Sequence, residues 1–161
     1  MFGIMLFLHL AGLAIWLGSL VAISVMLSIF KKNLDKPGHN AIARSTIRVF
    51  NVLTHPSAFI ILVTGLVMVL TEDYGDKTPF WLFYMQNIGG LIIIAVIAVL
   101  SIFGKKAARS LLSADAAGGG KKSVVGEIAA AGKSLSLMVS LMTVSIVLIL
   151  SVVLIVSYRF G

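Results

Sequence analysis

The stretch IMLFLHLAGLAIWLGSLVAISVMLSIF, residues 4–30, contains no side chain that stays charged at pH 7 and includes one histidine, His9. An α-helix needs about 20 apolar residues to cross the hydrocarbon core of a bilayer. Three further apolar stretches follow, of which the first is the shortest: about Pro56–Thr71, Phe80–Phe103 and Ser134–Tyr158. The sequence therefore predicts an all-α membrane protein, a bundle of four transmembrane helices that forms a single domain over residues 1–161.

The composition agrees with a membrane protein and excludes several kinds of site. Apolar residues make up 59 % of the chain and the mean hydropathy is +1.08, whereas soluble proteins contain about 45–50 % apolar residues. The absence of cysteine excludes thiolate metal sites, disulfides and thiol redox chemistry. No basic segment precedes the first apolar stretch and no convincing cleavage site follows it, so we expect no cleaved signal peptide.

The basic residues are concentrated on one side of the predicted bundle. The net charge is +7, and eleven of the thirteen lysines and arginines lie between the first and second stretches or between the third and fourth. The positive-inside rule assigns these connections to the cytoplasm. We therefore expect both termini outside (N-out, C-out) in a multi-pass protein of the plasma membrane. Topology and attraction to anionic lipid explain this charge better than nucleic-acid binding does.

A proline near the start of the second stretch affects how that span is predicted. Thr54-His55-Pro56-Ser57 indicates either a kink in the second span or its beginning, because proline lacks a backbone donor and disfavours helix at the preceding residue. Upstream of this point we expect a helical piece at the membrane interface, whose apolar face is formed by Ile42, Val49 and Leu53.

Two polar segments are predicted to be connections without regular structure. Residues 31–39 contain Asn33, Asp35, Pro37 and Gly38, which are typical of a turn. The segment Ser113–Lys122 includes three consecutive glycines and predicts a flexible cytoplasmic loop.

An ionisable group in a span is costly, so the intramembrane histidines are candidates for a functional site. Their depth in the membrane determines which other residues can lie beside each of them. From the centres of the apolar stretches, His9 lies about 12 Å outward and His55 about 9 Å inward. At roughly 20 Å apart in depth, they do not ligate one metal ion together. Met68, Met85 and Gln86 are predicted at the depth of His9. Histidine with methionine binds haem iron in cytochromes and also suits Cu(I).

Each candidate also has a purely structural interpretation. His9 shares a helix face with Gly12, Trp16, Ser19 and Ile23, and small residues on such a face promote helix packing. In the structural interpretation, His9 is a packing residue that donates a hydrogen bond to a carbonyl or to Gln86. The methionines are common apolar fillers, and Trp81 and Tyr84 suit an interfacial aromatic belt. His55 is either a hydrated histidine near the interface or a separate metal site. Both alternatives stay open for each residue.

Several chemistries have no residues to support them. The chain has no Gly-rich phosphate loop and no HExxH motif, and no carboxylate lies inside an apolar stretch. Proton-coupled transport normally needs acidic groups in the membrane. Cofactor binding or redox chemistry therefore fits the sequence better than hydrolysis or ion pumping.

Three segments resemble the CopD/HemJ-like group of four-helix integral membrane proteins. They are LHLAGLAIWLGSL at 8–20, HPSAFIILVTGLVMVL at 55–70 and FWLFYMQNIGG at 80–90, so the resemblance covers about two-thirds of the chain. HemJ-type proteins bind haem b and oxidise protoporphyrinogen, and their first-span histidine matches His9. Their pattern has a lysine shortly after the third-span tryptophan, where this chain has Met85-Gln86. CopD-like proteins are linked to copper uptake or resistance.

The leading hypothesis is therefore a small haem b-binding membrane protein with a redox or electron-transfer role, in which a haem-dependent oxidoreductase activity is the enzymatic option. His9 is the expected iron ligand, with Met68, Met85, Gln86 and Trp16 as further cofactor-binding candidates. Copper binding or transport is the alternative, and a cofactor-free accessory subunit is the second alternative. The expected partners are the lipid bilayer and a quinone or redox protein, and the oligomeric state stays open.

Overall fold

Four long helices dominate the structure, because apolar segments in lipid must satisfy their backbone hydrogen bonds internally. The computed structural model describes residues 1–34, 38–71, 79–116 and 121–158, except the side chains of residues 121–124. Helix α1 spans Phe2–Phe30, α2 His39–Thr71, α3 Phe80–Ala116 and α4 Lys121–Tyr158. In α3, a π-helical turn, Tyr84–Gly89, separates the α-helical residues Phe80–Phe83 from Gly90–Ala116. All four helices are long and apolar enough to cross a membrane, which confirms the predicted fold class.

The helices form a ring in chain order. Helix α1 packs mainly against α2, and α3 mainly against α4, while smaller interfaces join α1 to α4 and α2 to α3. Helices α1 and α3 are therefore diagonal neighbours. A side chain of α1 reaches residues of α2 or α4 before it reaches those of α3.

The interior of the bundle is apolar, and so is most of its outer surface. Trp16, Leu100, Leu135 and Met142 are almost completely buried at the centre. Large apolar side chains such as Phe7 and Val147 are more than half exposed. Such an outer surface is expected where lipid rather than water surrounds a helix bundle.

Glycine allows the closest helix contacts. At Gly12 in α1, an added Cβ would lie 3.1 Å from Ile61 Cγ1 and 3.2 Å from the carbonyl oxygen of Ser57 in α2. At Gly104 in α3, it would lie 3.2 Å from Ile47 Cγ2 in α2. These close approaches agree with the general use of small residues at helix interfaces in membranes. They also fix which residues of neighbouring helices lie at the same level.

Helix α2 runs continuously through Pro56, so the prediction that the second span begins at His55-Pro56 is wrong. Pro56 cannot donate to the carbonyl of Val52. Adjacent hydroxyls bond to their own helix, with Thr54 Oγ1 donating to the Phe50 carbonyl at 2.7 Å and Ser57 Oγ to the Leu53 carbonyl at 2.6 Å. Packing on both sides of Pro56 outweighs the local preference for a boundary. A kink at this point stays a prediction.

The first part of α2 packs into the bundle and is not a separate interfacial helix. Ile42 and Val49, predicted on its apolar face, are 45 % and 47 % exposed, whereas Ala43, Ile47 and Phe50 are buried. The buried set has the helical spacing that continues the buried face of the rest of α2. The sequence pattern predicted that the apolar face is the one with Ile42 and Val49. In the structure, the neighbouring face with Ala43, Ile47 and Phe50 is buried instead.

The connection between the third and fourth spans is shorter than the sequence predicted, whereas the first connection lies where it was predicted, between Phe30 and His39. Helix α3 continues to Ala116 and α4 begins at Lys121, so most of the loop predicted at Ser113–Lys122 is helical. Asp115 explains the extension of α3, because it forms a 2.8 Å ion pair with Arg44 and accepts a 3.0 Å hydrogen bond from Asn40 Nδ2. The remaining glycines at 118–120, the predicted turn residues Asp35 and Pro37, and residues 72–78 lie outside the described residues.

Candidate functional site

His9 is held by the backbone and a hydroxyl of α2. Its Nδ1 lies 3.0 Å from the carbonyl oxygen of Ile61 and 3.2 Å from Thr64 Oγ1. The Thr64 hydroxyl itself donates to the carbonyl of Ile60 at 2.6 Å. A carbonyl only accepts, so Nδ1 carries the proton and donates it to Ile61.

This arrangement leaves the second nitrogen of His9 available. With the proton on Nδ1, Nε2 has a free lone pair. Nε2 makes no hydrogen bond within the described part of the chain and is not among its fully enclosed unpaired atoms. The half-buried imidazole is thus oriented by one nitrogen and presents the other for ligation, which is the usual arrangement of a metal-binding histidine.

Gly65 provides the space for the His9 ring. A Cβ at position 65 would lie 3.1 Å from His9 Cε1 and 3.5 Å from its Nδ1. The ring therefore rests directly on the backbone of α2. A larger residue at position 65 would require the imidazole to shift by a few tenths of an ångström.

Trp16 lies on the same face of α1, and its indole N–H has no partner. The side chain is 0 % exposed, and Nε1 makes no hydrogen bond with any described residue. A buried donor without a partner costs free energy, so such a group is a sign of a missing acceptor. The face predicted from the sequence is confirmed, since Gly12, Trp16, Ser19 and Ile23 are buried and His9 is half-buried.

Met68 lies one helical turn beyond Gly65 on the buried side of α2. It is 6 % exposed. On α1, Met5 lies one turn before His9 and is half-buried. The sequence prediction did not include Met5, although its spacing of four residues from His9 places both side chains on one helix face.

Met85 and Gln86 lie in the π turn of α3. This turn packs against α4, whereas His9 contacts α2. Met85 is half-buried and Gln86 is exposed. No described hydrogen bond or glycine contact joins either residue to His9, so their participation in one site stays a prediction.

His55 belongs to a different part of the bundle. Its Nδ1 donates to the carbonyl of Asn51 at 2.8 Å, and its Nε2 accepts from Ser101 Oγ of α3 at 3.1 Å. Both nitrogens are occupied, and the side chain is exposed on the outer surface between α2 and α3. This geometry fits the structural interpretation of His55 better than it fits a metal ligand.

The packing of α1 on α2 revises the depth between the two histidines. His9 is level with Ile61–Gly65, which places it about eight residues, or roughly 12 Å, beyond His55 along α2. The distance is shorter than the roughly 20 Å predicted from the apolar stretches, because α2 begins earlier than those stretches indicated. The two rings also face different helices, so they do not share one metal ion.

Among the described residues, His9 is not part of a metal centre built from three His, Cys, Asp or Glu side chains. Within the described residues, no three His, Cys, Asp or Glu side chains are grouped so that they could hold a metal ion. Any metal at His9 would therefore depend on a thioether, a backbone atom or a larger cofactor for its remaining ligands. No protein-family model, curated protein or solved structure matches this chain.

Proposed function

We propose that this protein binds haem b in the membrane, with His9 Nε2 as an axial ligand of the iron, and that it transfers electrons. The observation that carries the proposal is the orientation of His9. Its Nδ1 bonds to Ile61 and Thr64, and its Nε2 makes no hydrogen bond within the described residues and is not fully enclosed. A structural histidine would gain from a partner for both nitrogens, as His55 has.

The apolar surface of α1 around His9 fits a haem at this position. Phe2 and Leu6, on the same face of α1 as His9, are 42 % and 38 % exposed and suit the apolar face of a porphyrin. When bound, haem supplies one-electron redox chemistry.

The role of the protein in this proposal is to hold and orient the cofactor. The Ile61 carbonyl fixes the tautomer of His9 and raises the basicity of Nε2. Thr64 restricts rotation of the ring, and Gly65 lets the ring approach the helix backbone. Met68 is the preferred candidate for a second ligand, because it is one turn from Gly65.

The resemblance to the CopD/HemJ-like group supports the same assignment of His9. A protoporphyrinogen oxidase activity has less support, because Met85-Gln86 replace the lysine of that pattern. Electron transfer to a quinone or to a redox protein remains the proposed role. The N-out, C-out orientation and the plasma membrane are part of this proposal.

Copper binding is the second candidate, and the positions of Met5 and Met68 favour it. Met5 lies one turn from His9 on α1, and Met68 lies one turn from Gly65 on α2. Two thioethers with one imidazole would provide a soft ligand set for Cu(I). Copper and haem would then compete for the same nitrogen of His9. A cofactor-free accessory subunit is the third possibility, in which His9 serves only helix packing.

The test is the cofactor content of the full-length protein, purified in mild detergent from cells supplied with haem precursor and copper. We expect a Soret band, and we expect His9→Ala to reduce the haem per protein by at least about tenfold. His55→Ala is the matched control, because it removes another intramembrane histidine but should retain the haem. Circular dichroism checks that each variant is still helical.

The other results distinguish the alternatives. Stoichiometric copper without a Soret band, lost in His9→Ala, would establish the copper function. Wild-type protein with neither cofactor would leave the accessory role. Full haem in His9→Ala with loss in His55→Ala would place the site at the other end of the bundle.

A further inference from the structure

A second polar site lies on the outside of the bundle, in a groove between α2 and α3. The residues that line it, called the α2–α3 groove below, are Arg48, Asn51, Val52 and His55 of α2 and Ser101 and Lys105 of α3. The groove has a volume of about 340 Å³. None of these residues takes part in the proposed cofactor site.

The groove carries two cations with no acidic partner among the described residues. Within the described residues, neither Arg48 nor Lys105 forms an ion pair, and no acidic side chain lines the groove. Arg44, one helical turn before Arg48, is by contrast paired with Asp115. Two unpaired cations at one groove attract an anion.

The level of the groove coincides with the edge of the apolar core. Arg48 precedes 23 residues of α2 without a charge, and Lys105 follows 25 such residues of α3. The contact between Gly104 and Ile47 shows that the two cations lie at the same level. This is the expected depth of lipid phosphate groups, and basic pockets between helices at this level bind anionic headgroups.

Below the cations, the groove offers polar groups and then an apolar surface. Asn51 Oδ1 is enclosed and has no hydrogen-bond partner among the described residues. The carbonyl of Val52 lacks the helical donor that Pro56 cannot supply. Further along the same face of α2, Val52 and Phe59 are 64 % and 68 % exposed. This order of charge, polar groups and apolar surface matches the order of groups along a phospholipid.

We propose that the α2–α3 groove is a binding site for an anionic phospholipid. The phosphodiester binds to Arg48 and Lys105, the glycerol ester oxygens lie beside the polar side chains of Asn51 and Ser101, and an acyl chain lies against Phe59. A soluble phosphate would gain nothing from the last of these contacts. The site is thus specific for a lipid and is distinct from the diffuse attraction of basic loops to the membrane.

The test is native mass spectrometry of the full chain in detergent, titrated with phosphatidylglycerol or phosphatidylcholine of the same acyl composition. Each basic side chain near an anionic lipid gives roughly a fivefold preference, so the first phosphatidylglycerol should bind on the order of twentyfold more tightly than phosphatidylcholine. The double variant Arg48→Ala/Lys105→Ala should reduce this ratio to about twofold or less.

Two further variants separate the groove from net charge. Lys106→Ala/Lys133→Ala removes the same charge from exposed positions outside the groove, and it should keep the preference. Val52→Trp fills the groove without changing any charge, and it should lose the preference. Equal loss in the Lys106/Lys133 variant, or retention in Val52→Trp, would overturn the proposal.

Two remaining results would also overturn it. One is equal binding of the two lipids by the wild-type protein. The other is displacement of phosphatidylglycerol by glycerol phosphate at an equal concentration, which would mean that the groove binds a soluble phosphate.

Discussion

The imidazole of His9 rests on the backbone of Gly65, so closely that a Cβ there would come within 3.1 Å of Cε1. This contact joins α1 to α2 at the proposed site. It makes the position of the ring dependent on a residue that is not itself a ligand.

Replacement of Gly65 by alanine should weaken cofactor retention without removing any ligand. The added methyl group pushes the His9 ring away from Ile61. We expect the haem per protein to fall by about tenfold, the lower end of the effect of losing a contact that orients a metal ligand. Gly18→Ala is the matched control, because an added Cβ at Gly18 in α1 meets nothing within 4 Å. Soret absorbance per protein measures both. A Gly65→Ala protein with full haem would show that the ring is free to relocate.

Thr64→Val should reduce cofactor affinity through the loss of a hydroxyl beside His9 Nδ1. The hydrogen bond to Ile61 remains, so we expect a decrease of about threefold to tenfold in a haem titration of the apoprotein. Thr71→Val is the control, since its hydroxyl also bonds its own helix, to the Val67 carbonyl at 2.8 Å, but is exposed. Equal effects of the two substitutions would indicate a general change in α2 and not a role in orienting His9.

Gly12→Ala should destabilise the bundle itself. The new Cβ would meet the Ser57 carbonyl at 3.2 Å, and a backbone atom cannot rotate away. Overpacking of this kind costs about 1–3 kcal/mol, against a gain of roughly 0.5–1 kcal/mol in helix propensity. Thermal unfolding in detergent, followed by circular dichroism, should therefore show a lower midpoint than for the wild type or Gly18→Ala. An unchanged midpoint would mean that α1 and α2 can separate slightly at no cost.

The predicted orientation can be tested because the chain contains no cysteine. Gly75→Cys lies in the connection between the second and third spans, and Gly119→Cys in the basic connection between the third and fourth. The positive-inside rule predicts that an impermeant maleimide labels position 75 in intact cells and position 119 only after permeabilisation. The opposite pattern would reverse the orientation and place His9 near the cytoplasmic side.

The number of spans and the buried face of α1 could be predicted from the sequence, because both depend on local apolar periodicity. His9 and Trp16 were identified for the same reason. The beginning of α2 could not be predicted, since Pro56 locally favours a boundary and only packing along the whole helix outweighs it. Contacts between Asp115, Arg44 and Asn40 likewise extend α3 through residues whose composition predicts a loop.

The partners of His9 were beyond sequence reasoning because they depend on register. Nothing local to Ile61, Thr64 or Gly65 indicates that they lie opposite position 9 of another helix. The contact at Gly12 establishes that register, and it also shortens the depth between the two histidines. The hydrogen bond from His9 to the Ile61 carbonyl cannot be predicted from the sequence, because every residue has a backbone carbonyl that could accept it.

The ring order of the helices has a consequence for how the protein enters the membrane. The two largest interfaces join helices that are consecutive in the chain, α1 with α2 and α3 with α4. Contacts between sequence neighbours need little loop closure and form early. Each pair can therefore form as a helical hairpin, and the first hairpin, α1 with α2, by itself contains the contacts of His9 with Ile61 and Thr64.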